Sequence, residues 1–435
     1  MKIAVIALGK IGLPLAVQFA SKGHDVVGVD VSQRTVDLVN RALEPFPGEA
    51  QLQEKLAAVV SAGRLRATTD YADAVPTAEA VVLVVPLFVD ETTAEPDFAW
   101  MDDATQSLGA VLAPGTLVSY ETTLPVGTTR NRWKPMLEET SGLTAGKDFD
   151  LVFSPERVLT GRVFADLRKY PKLVGALSKQ GAARAIEFYR AVLNFDERPD
   201  LARGNGVWDL GSAEAAELAK LAETTYRDVN IGLANQFARY AGANGIDVYQ
   251  VIEASNSQPY SHIHQPGIAV GGHCIPVYPR LYLWNDPVAT VVAAARNANA
   301  SMPDYTIGLL EDAYGDLTGA RVAVLGAAYR GGVKETAFSG VFGAVESLKN
   351  RGAIALVHDP LFSDDELKRL GFEPYHFGES IDAAVVQADH EIYRSVGPDD
   401  LPGVRAFVDG RRVSAPERWP GISYRVIGKS ATRTV

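Results

Sequence analysis

The stretch "KIAVIALGKIGLPLAVQFASKGHDVVGVD", residues 2–30, decides the fold. Lys2–Ile6 is an apolar run with a β-branched bias, which predicts a buried strand. A glycine-containing turn follows, then helical periodicity over residues 14–21 and a second strand, Asp25–Val29, ending at Asp30. Strand, glycine turn, helix and an acidic residue about 20 positions on are the frame of a βαβ unit that cradles a dinucleotide. Gly9 and Gly12 match the second and third glycines of that fingerprint, and Ala7 takes the first place, where the turn is tightest. The backbone of Gly9, Lys10, Ile11 and Gly12 is expected to approach a pyrophosphate at the helix N-terminus. Asp30 is expected to bind ribose hydroxyls; its charge disfavours a 2′-phosphate and so points to NAD rather than NADP. The competing reading is a tight βα turn that binds nothing.

Further buried strands are predicted at 80–85, Leu117–Tyr120 and Asp150–Phe153. Strands alternating with helices imply a parallel sheet with crossover helices. The pattern recurs late in the chain. "ARVAVLGAAYRG" (320–331) reads as strand then turn, a helix follows at about 339–350, and "AIALVHDP" (353–360) reads as a strand ending at Asp359. Between the two lies "SAEAAELAKLAETTYRDVNIGLANQFARYAGANG" (212–245), where Leu218, Leu221, Thr225, Val229, Leu233, Phe237 and Tyr240 recur at helical spacing. Ser212 is suited to cap its start and Gly242 or Gly245 to end it. The fold class expected is α/β: two Rossmann-like doubly wound parallel-sheet domains joined by a central helical region with one long helix. The expected domains are 1–205, 206–300 and 301–435. The long helix serves either as a dimerisation element or as a buried connector.

Composition narrows the function classes. The 435 residues are 47% hydrophobic and 22% charged, with a formal net charge of −11. An acidic chain without a long Lys/Arg run is a poor nucleic-acid or membrane-surface binder. The longest apolar run, "AVVLVVPLFV" (80–89), is too short to span a bilayer. The N-terminus has signal-peptide colouring, but Lys10 interrupts its apolar run and no A-x-A site follows. A single cysteine, Cys274, excludes an intrachain disulfide and multi-cysteine metal clusters. It fits a reducing, cytoplasmic compartment.

Several motifs converge on one family. "GKIGLPLA" (9–16), "ETTLPVGTT" (121–129), "SPERVLTGR" (154–162), "YPKLVG" (170–175), "AELAKLAETTYRDVNIGLAN" (216–235), "AVGGHCIP" (269–276), "HDP" (358–360) and "VDGRR" (408–412) follow one another nearly end to end. In this order the chain resembles the UDP-glucose/GDP-mannose dehydrogenases, the nucleotide-sugar 6-dehydrogenases. The resemblance implies oxidation of a sugar C6 alcohol to a carboxylate with two NAD⁺ and one water. It also implies a nucleotide-sugar substrate and a homodimer. Cys274 is then the nucleophile that holds the half-oxidised carbon as a thiohemiacetal and thioester, with Gly271 and Gly272 letting the backbone come close to the substrate. By the same resemblance Lys220 stabilises the alkoxide and oxyanion, Glu156 activates water, and Thr123 positions a water or hydroxyl beside the cofactor. Arg330, Arg411, Lys172 and Arg162 become candidates for the diphosphate, and Tyr260 aligns with an Arg that reaches the sugar in some members. Taken alone, each of these residues has an ordinary reading: a buried small thiol, a solvated helix lysine, a salt-bridged carboxylate, a turn threonine, an exposed charge.

The chain departs from the family at four places. Thr224 replaces the Asn four residues after the helix lysine, and offers one donor where Asn offers two. Tyr278 replaces the Asp four residues after the cysteine, and is no substitute for a carboxylate base. Ala337 and Tyr260 stand where arginines are common. These changes motivate a rival reading, a nucleotide-sugar-binding protein with lost or partial dehydrogenase activity. His262, His264 and His273 lie near Cys274 in sequence; hydrogen-bonding roles are expected rather than a metal site.

Overall fold

The computed structural model describes residues 1–429 apart from 91, 92 and 94. It forms two compact units, Met1–Glu223 and Thr224–Val435, where the sequence reading expects three regions. No helix among the described residues is long and apolar enough to cross a membrane.

The first unit is built on an eight-stranded sheet. Its strands are β1 (Lys2–Ile6), β2 (Asp25–Val29), β3 (Leu65–Thr68), β4 (Ala80–Leu83), β5 (Leu117–Tyr120), β6 (Asp150–Phe153), β7 (Lys172–Ala176) and β8 (Val207–Asp209). They lie in the order β3-β2-β1-β4-β5-β6-β7-β8. The first six repeat the doubly wound order in which ligands gather outside the carboxyl ends of the strands. All pairs are parallel except β6–β7, which is antiparallel with Val152 opposite Ala176. The reversal has a consequence for chemistry: it brings the first residue of β7, Lys172, to the edge where β5 and β6 end. Near-continuous apolar strands, such as the fully buried "AVVL" of β4, suit a sheet covered on both faces. Helix α1 (Gly12–Ser21) packs Leu13, Val17 and Phe19 into the core, each worth about 1.5–3 kcal/mol of burial. Helix α2 (Lys179–Val192) meets it there, with Phe188 edge-on to Phe19 at 5.7 Å.

Helix α3 (Ala213–Ala243) is the long helix read from the sequence, and the division between the units falls within it. The Ser212 hydroxyl accepts from the Ala215 N–H, the cap expected there. Apart from Leu221, its largest apolar residues are not the buried ones. Tyr226, Leu233, Phe237 and Tyr240 are exposed, while Ala216, Leu221, Ala234 and Ala238 are buried together with Glu217, Lys220, Thr224, Asp228 and Asn235.

The second unit carries a six-stranded, all-parallel sheet of β9 (Arg321–Leu325), β10 (Ile354–His358), β11 (Glu373–Pro374), β12 (Ala383–Val386), β13 (Ala406–Asp409) and β14 (Ser423–Val426). Its order, β11-β10-β9-β12-β13-β14, has the same doubly wound connectivity. Helices α4 (Tyr278–Asn285), α5 (Thr290–Ala300) and α6 (Gly340–Asn350) belong to this unit.

Candidate active site

At the carboxyl end of β1 the chain makes the tight turn the fingerprint requires. Ala7 occupies it with φ +74°, a left-handed conformation that costs a non-glycine residue roughly 1–2 kcal/mol. Gly12 is obligatory: a Cβ there would sit 1.9 Å from the Ala7 carbonyl oxygen. The space beside Gly9 is open, and no side chain caps the start of α1. Asp30 braces the loop from β2, accepting the Leu8 N–H at 2.8 Å and the Ser32 N–H at 2.9 Å. Each carboxylate oxygen keeps lone-pair capacity for a ribose hydroxyl. An open glycine turn, an uncapped helix start and a fixed acid fit an NAD pyrophosphate and ribose.

Charged side chains collect in the same unit at the ends of β5 and β6. Glu121 follows β5 directly, Glu156 lies just past β6, and Lys172 opens β7. The Lys172 ammonium bonds Glu121 at 2.7 Å and also reaches Glu156. The Tyr189 hydroxyl of α2 donates to the other Glu121 oxygen at 2.5 Å and meets the Ser119 hydroxyl at 2.7 Å. Burial pushes Glu121 up to about 8, against the pull of Lys172 and with the charge of Glu156 adding to the rise. Burial works upward on Glu156 too, but Lys172, a hydrogen bond with Glu121 and the charge of Lys220 hold it below its ordinary value.

Lys220 is 7% exposed on α3 and lies 3.7 Å from Glu223, which Arg157 also holds at 2.7 Å. One turn before it, Glu217 ties α3 to the "ETTLPVGTT" segment. It accepts the Gly127 N–H at 2.6 Å, the Thr129 N–H at 3.0 Å and the Thr129 hydroxyl at 2.7 Å. Burial raises the Glu217 carboxyl to about 7, despite those donors. Thr123, in the segment so anchored, is 5% exposed.

In the second unit the Cys274 thiol is free and exposed. Its loop is strapped down by α3: Asn230 bonds the His262 carbonyl at 2.7 Å and the His264 N–H at 3.0 Å, and Asn235 accepts the Gly267 N–H at 3.0 Å. Gly272, at φ +93°, donates to the Ala337 carbonyl at 2.8 Å. A Cβ on Gly271 would meet Tyr329 Cβ at 2.5 Å and the Phe338 carbonyl at 2.9 Å. The glycine pair thus lets the cysteine loop lie flat on the turn that follows β9. That turn carries Arg330, and Arg411 reaches it from the end of β13. Arg330 lies 5.8 Å from the Tyr329 ring, and Arg411 bonds the Gln387 carbonyl at 2.6 Å and the Tyr329 carbonyl at 3.4 Å. Burial lowers the Arg411 guanidinium, offset in part by Asp389. Thr224 is 5% exposed, and the Tyr278 N–H bonds the Cys274 carbonyl at 2.9 Å at the start of α4.

Lys172, expected among the diphosphate ligands, is buried and held by two carboxylates. Arg162 pairs with Asp166 and the Tyr170 hydroxyl on the surface of the first unit. Tyr260 is 92% exposed. His273 faces Glu335 at 3.5 Å, and among the described residues no group of three or more His, Cys, Asp or Glu is arranged for a metal. Glu121, Glu217 and Tyr189 were not singled out by sequence. The available signal was position: Glu121 follows a buried strand directly, as Asp30 does.

Comparison with known proteins covers both units. Models of the UDP-glucose/GDP-mannose dehydrogenase family match residues 1–193 (NAD binding domain), 214–301 (central domain) and 323–416 (UDP binding domain). The chain is 34% identical over 440 residues to a UDP-N-acetyl-D-mannosamine dehydrogenase of Pyrococcus horikoshii, covering 99% of each. A solved UDP-D-ManNAc dehydrogenase structure from that organism superposes with TM-score 0.86 at 33% identity, covering 99% of each chain. An NDP-N-acetyl-D-galactosaminuronic acid dehydrogenase structure from Methanosarcina mazei follows at TM-score 0.83 and 30% identity, covering 98% of this chain and 95% of that one.

Proposed function

Because the chain belongs to the UDP-glucose/GDP-mannose dehydrogenase family, an NAD-dependent family of oxidoreductases, we propose that it oxidises the C6 alcohol of a UDP-N-acetylhexosamine to the uronic acid. The observation that carries this reading is Cys274: an exposed thiol on a glycine loop seated against the turn that Arg330 and Arg411 adjoin. The N-acetylhexosamine is favoured over glucose by the names of the relatives above.

NAD⁺, held by the turn from Ala7 to Gly12 and by Asp30, supplies the hydride acceptor for both oxidations. The residues of the chain manage everything else. Arg330 and Arg411 neutralise the diphosphate and fix the sugar. A water held by Lys220 and Thr224 takes the C6 hydroxyl proton, and Lys220 steadies the alkoxide as C6 gives up its first hydride. The Cys274 thiolate then adds to the C6 aldehyde, forming a C–S bond. Loss of the second hydride leaves a thioester. Glu156 takes a proton from water as the water oxygen bonds C6 and the C–S bond breaks, returning the thiolate and releasing a carboxylate. Thr123 and Thr224 place hydroxyls for water and substrate. The exposed apolar stripe of α3, from Tyr226 to Tyr240, supports a homodimer built on that helix. The chemistry is consistent with a cytoplasmic enzyme of uronic-acid and polysaccharide synthesis.

The test is NADH release with a panel of UDP- and GDP-sugars: two NADH per sugar consumed is expected. Tyr278, standing where the family has Asp, favours one rival, a protein that binds nucleotide sugars but completes one oxidation or none. Binding without NADH, or one NADH per sugar, would establish that rival.

A further inference from the structure

The interior of the first unit holds more charge than water activation by one carboxylate requires. Both Glu121 oxygens are engaged, one by the Lys172 ammonium at 2.7 Å and the other by the Tyr189 hydroxyl at 2.5 Å. The groups facing it come from every neighbouring element: Lys172 from β7, Tyr189 from α2, Ser119 from β5 and Glu156 beyond β6, with Lys220 of α3 acting on Glu156. Glu121 and Tyr189 are at most 1% exposed and Lys172 is 4% exposed. Two carboxylates therefore share one ammonium away from water. Among the described residues Lys172 is the only cation acting on Glu121, and it is shared, whereas Glu156 also has the charge of Lys220, so the buried pair retains a proton. Glu121 is the deeper of the two, and Glu156 has a second cation in reach, so the proton resides on Glu121.

We propose that Glu121 is the positioning residue for the hydrolytic water: when protonated it leaves Lys172 wholly to Glu156, and when ionised it draws Lys172 back and makes Glu156 the stronger base. The proposal rests on the reading of Glu156 as the base of thioester hydrolysis. Glu121 touches neither water nor thioester. The water proton goes to Glu156, the C–S electron pair returns to Cys274, and Glu121 acts on the Glu156 carboxylate through the shared Lys172 and through its own hydrogen bond to Glu156.

Glu121→Gln keeps the size and the acceptor while fixing the neutral form. With a sugar that yields two NADH, the wild type should show a kcat that rises with pH as Glu121 ionises. The variant should lose that rise and fall to roughly a tenth of the wild-type kcat on the alkaline side, with KM unchanged and a burst of NADH ahead of slow hydrolysis. Tyr189→Phe removes a hydroxyl that favours the Glu121 carboxylate, and should move the inflection to higher pH; it decides the matter alone if the Gln variant does not fold. Wild-type kcat and pH profile in the folded variants, with two NADH per sugar intact in the parent, would overturn the proposal. A parent that never yields two NADH would overturn the underlying reading instead.

Discussion

Glu217→Gln offers a prediction whose size follows from the structure. Glu217 is fully buried, and its carboxylate holds three donors of the 127–129 turn. Burial still wins, raising the carboxyl from 4.5 to about 7. In the unfolded chain it titrates near its ordinary value. Between the two values the native state binds more protons than the unfolded one, so stability falls as pH rises from about 4.5 through about 7. The shift is worth about 3 kcal/mol, at 1.36 kcal/mol per pH unit. Gln has no such titration. The stability of Glu217→Gln relative to wild type should therefore climb by about 3 kcal/mol between acid and alkaline pH, whatever its value at either end. Urea midpoints at a series of pH values read this difference, and other titrating groups such as Glu121 cancel between the two proteins. A difference that stays flat with pH would refute the argument that burial, rather than the three donors, sets the charge of Glu217.

Two further substitutions test the loops. Ala7→Gly releases a left-handed alanine, a relief of roughly 1–2 kcal/mol, against roughly 0.5–1 kcal/mol of added unfolded-state entropy. A net gain of a few tenths to about 1 kcal/mol is expected in the melting of the first unit, and destabilisation would contradict it. Gly271→Ala drives a Cβ to within 2.5 Å of Tyr329 and should lift the cysteine loop, at about 1–3 kcal/mol. Turnover should drop while NAD affinity, set by the Ala7–Gly12 loop, is unchanged; parallel loss of both would count against separate loop roles.

The periodic and glycine-marked parts of this chain were legible in its sequence. The β1–α1–β2 frame ending at Asp30 is present as read, and α3 runs from its Ser212 cap to the neighbourhood of Gly245. So is the second βαβ frame, from β9 through α6 to β10. Both are local: turn, cap and period sit within a few residues of one another. What stayed hidden depends on pairing across the fold. Lys172 reads as an available cation until the antiparallel register of β7 turns it inward between Glu121 and Glu156. Glu121 and Glu217 were not singled out because sequence does not reveal which charges are buried with partners. The helical stripe of α3 was found, but apart from Leu221 its largest apolar members face outward, and polar members such as Glu217 and Lys220 face inward, since the helix packs largely through small residues and carries site groups on its buried face.

The thiol chemistry at Cys274 admits the most direct measurement. Glu156→Gln enzyme, turned over with NAD⁺ and the sugar that supports activity, should accumulate an acyl adduct. Denaturing mass spectrometry after rapid quench should place the mass of the oxidised nucleotide sugar on the peptide containing Cys274. No adduct on that peptide, together with undiminished acid production by Cys274→Ser, would contradict the account.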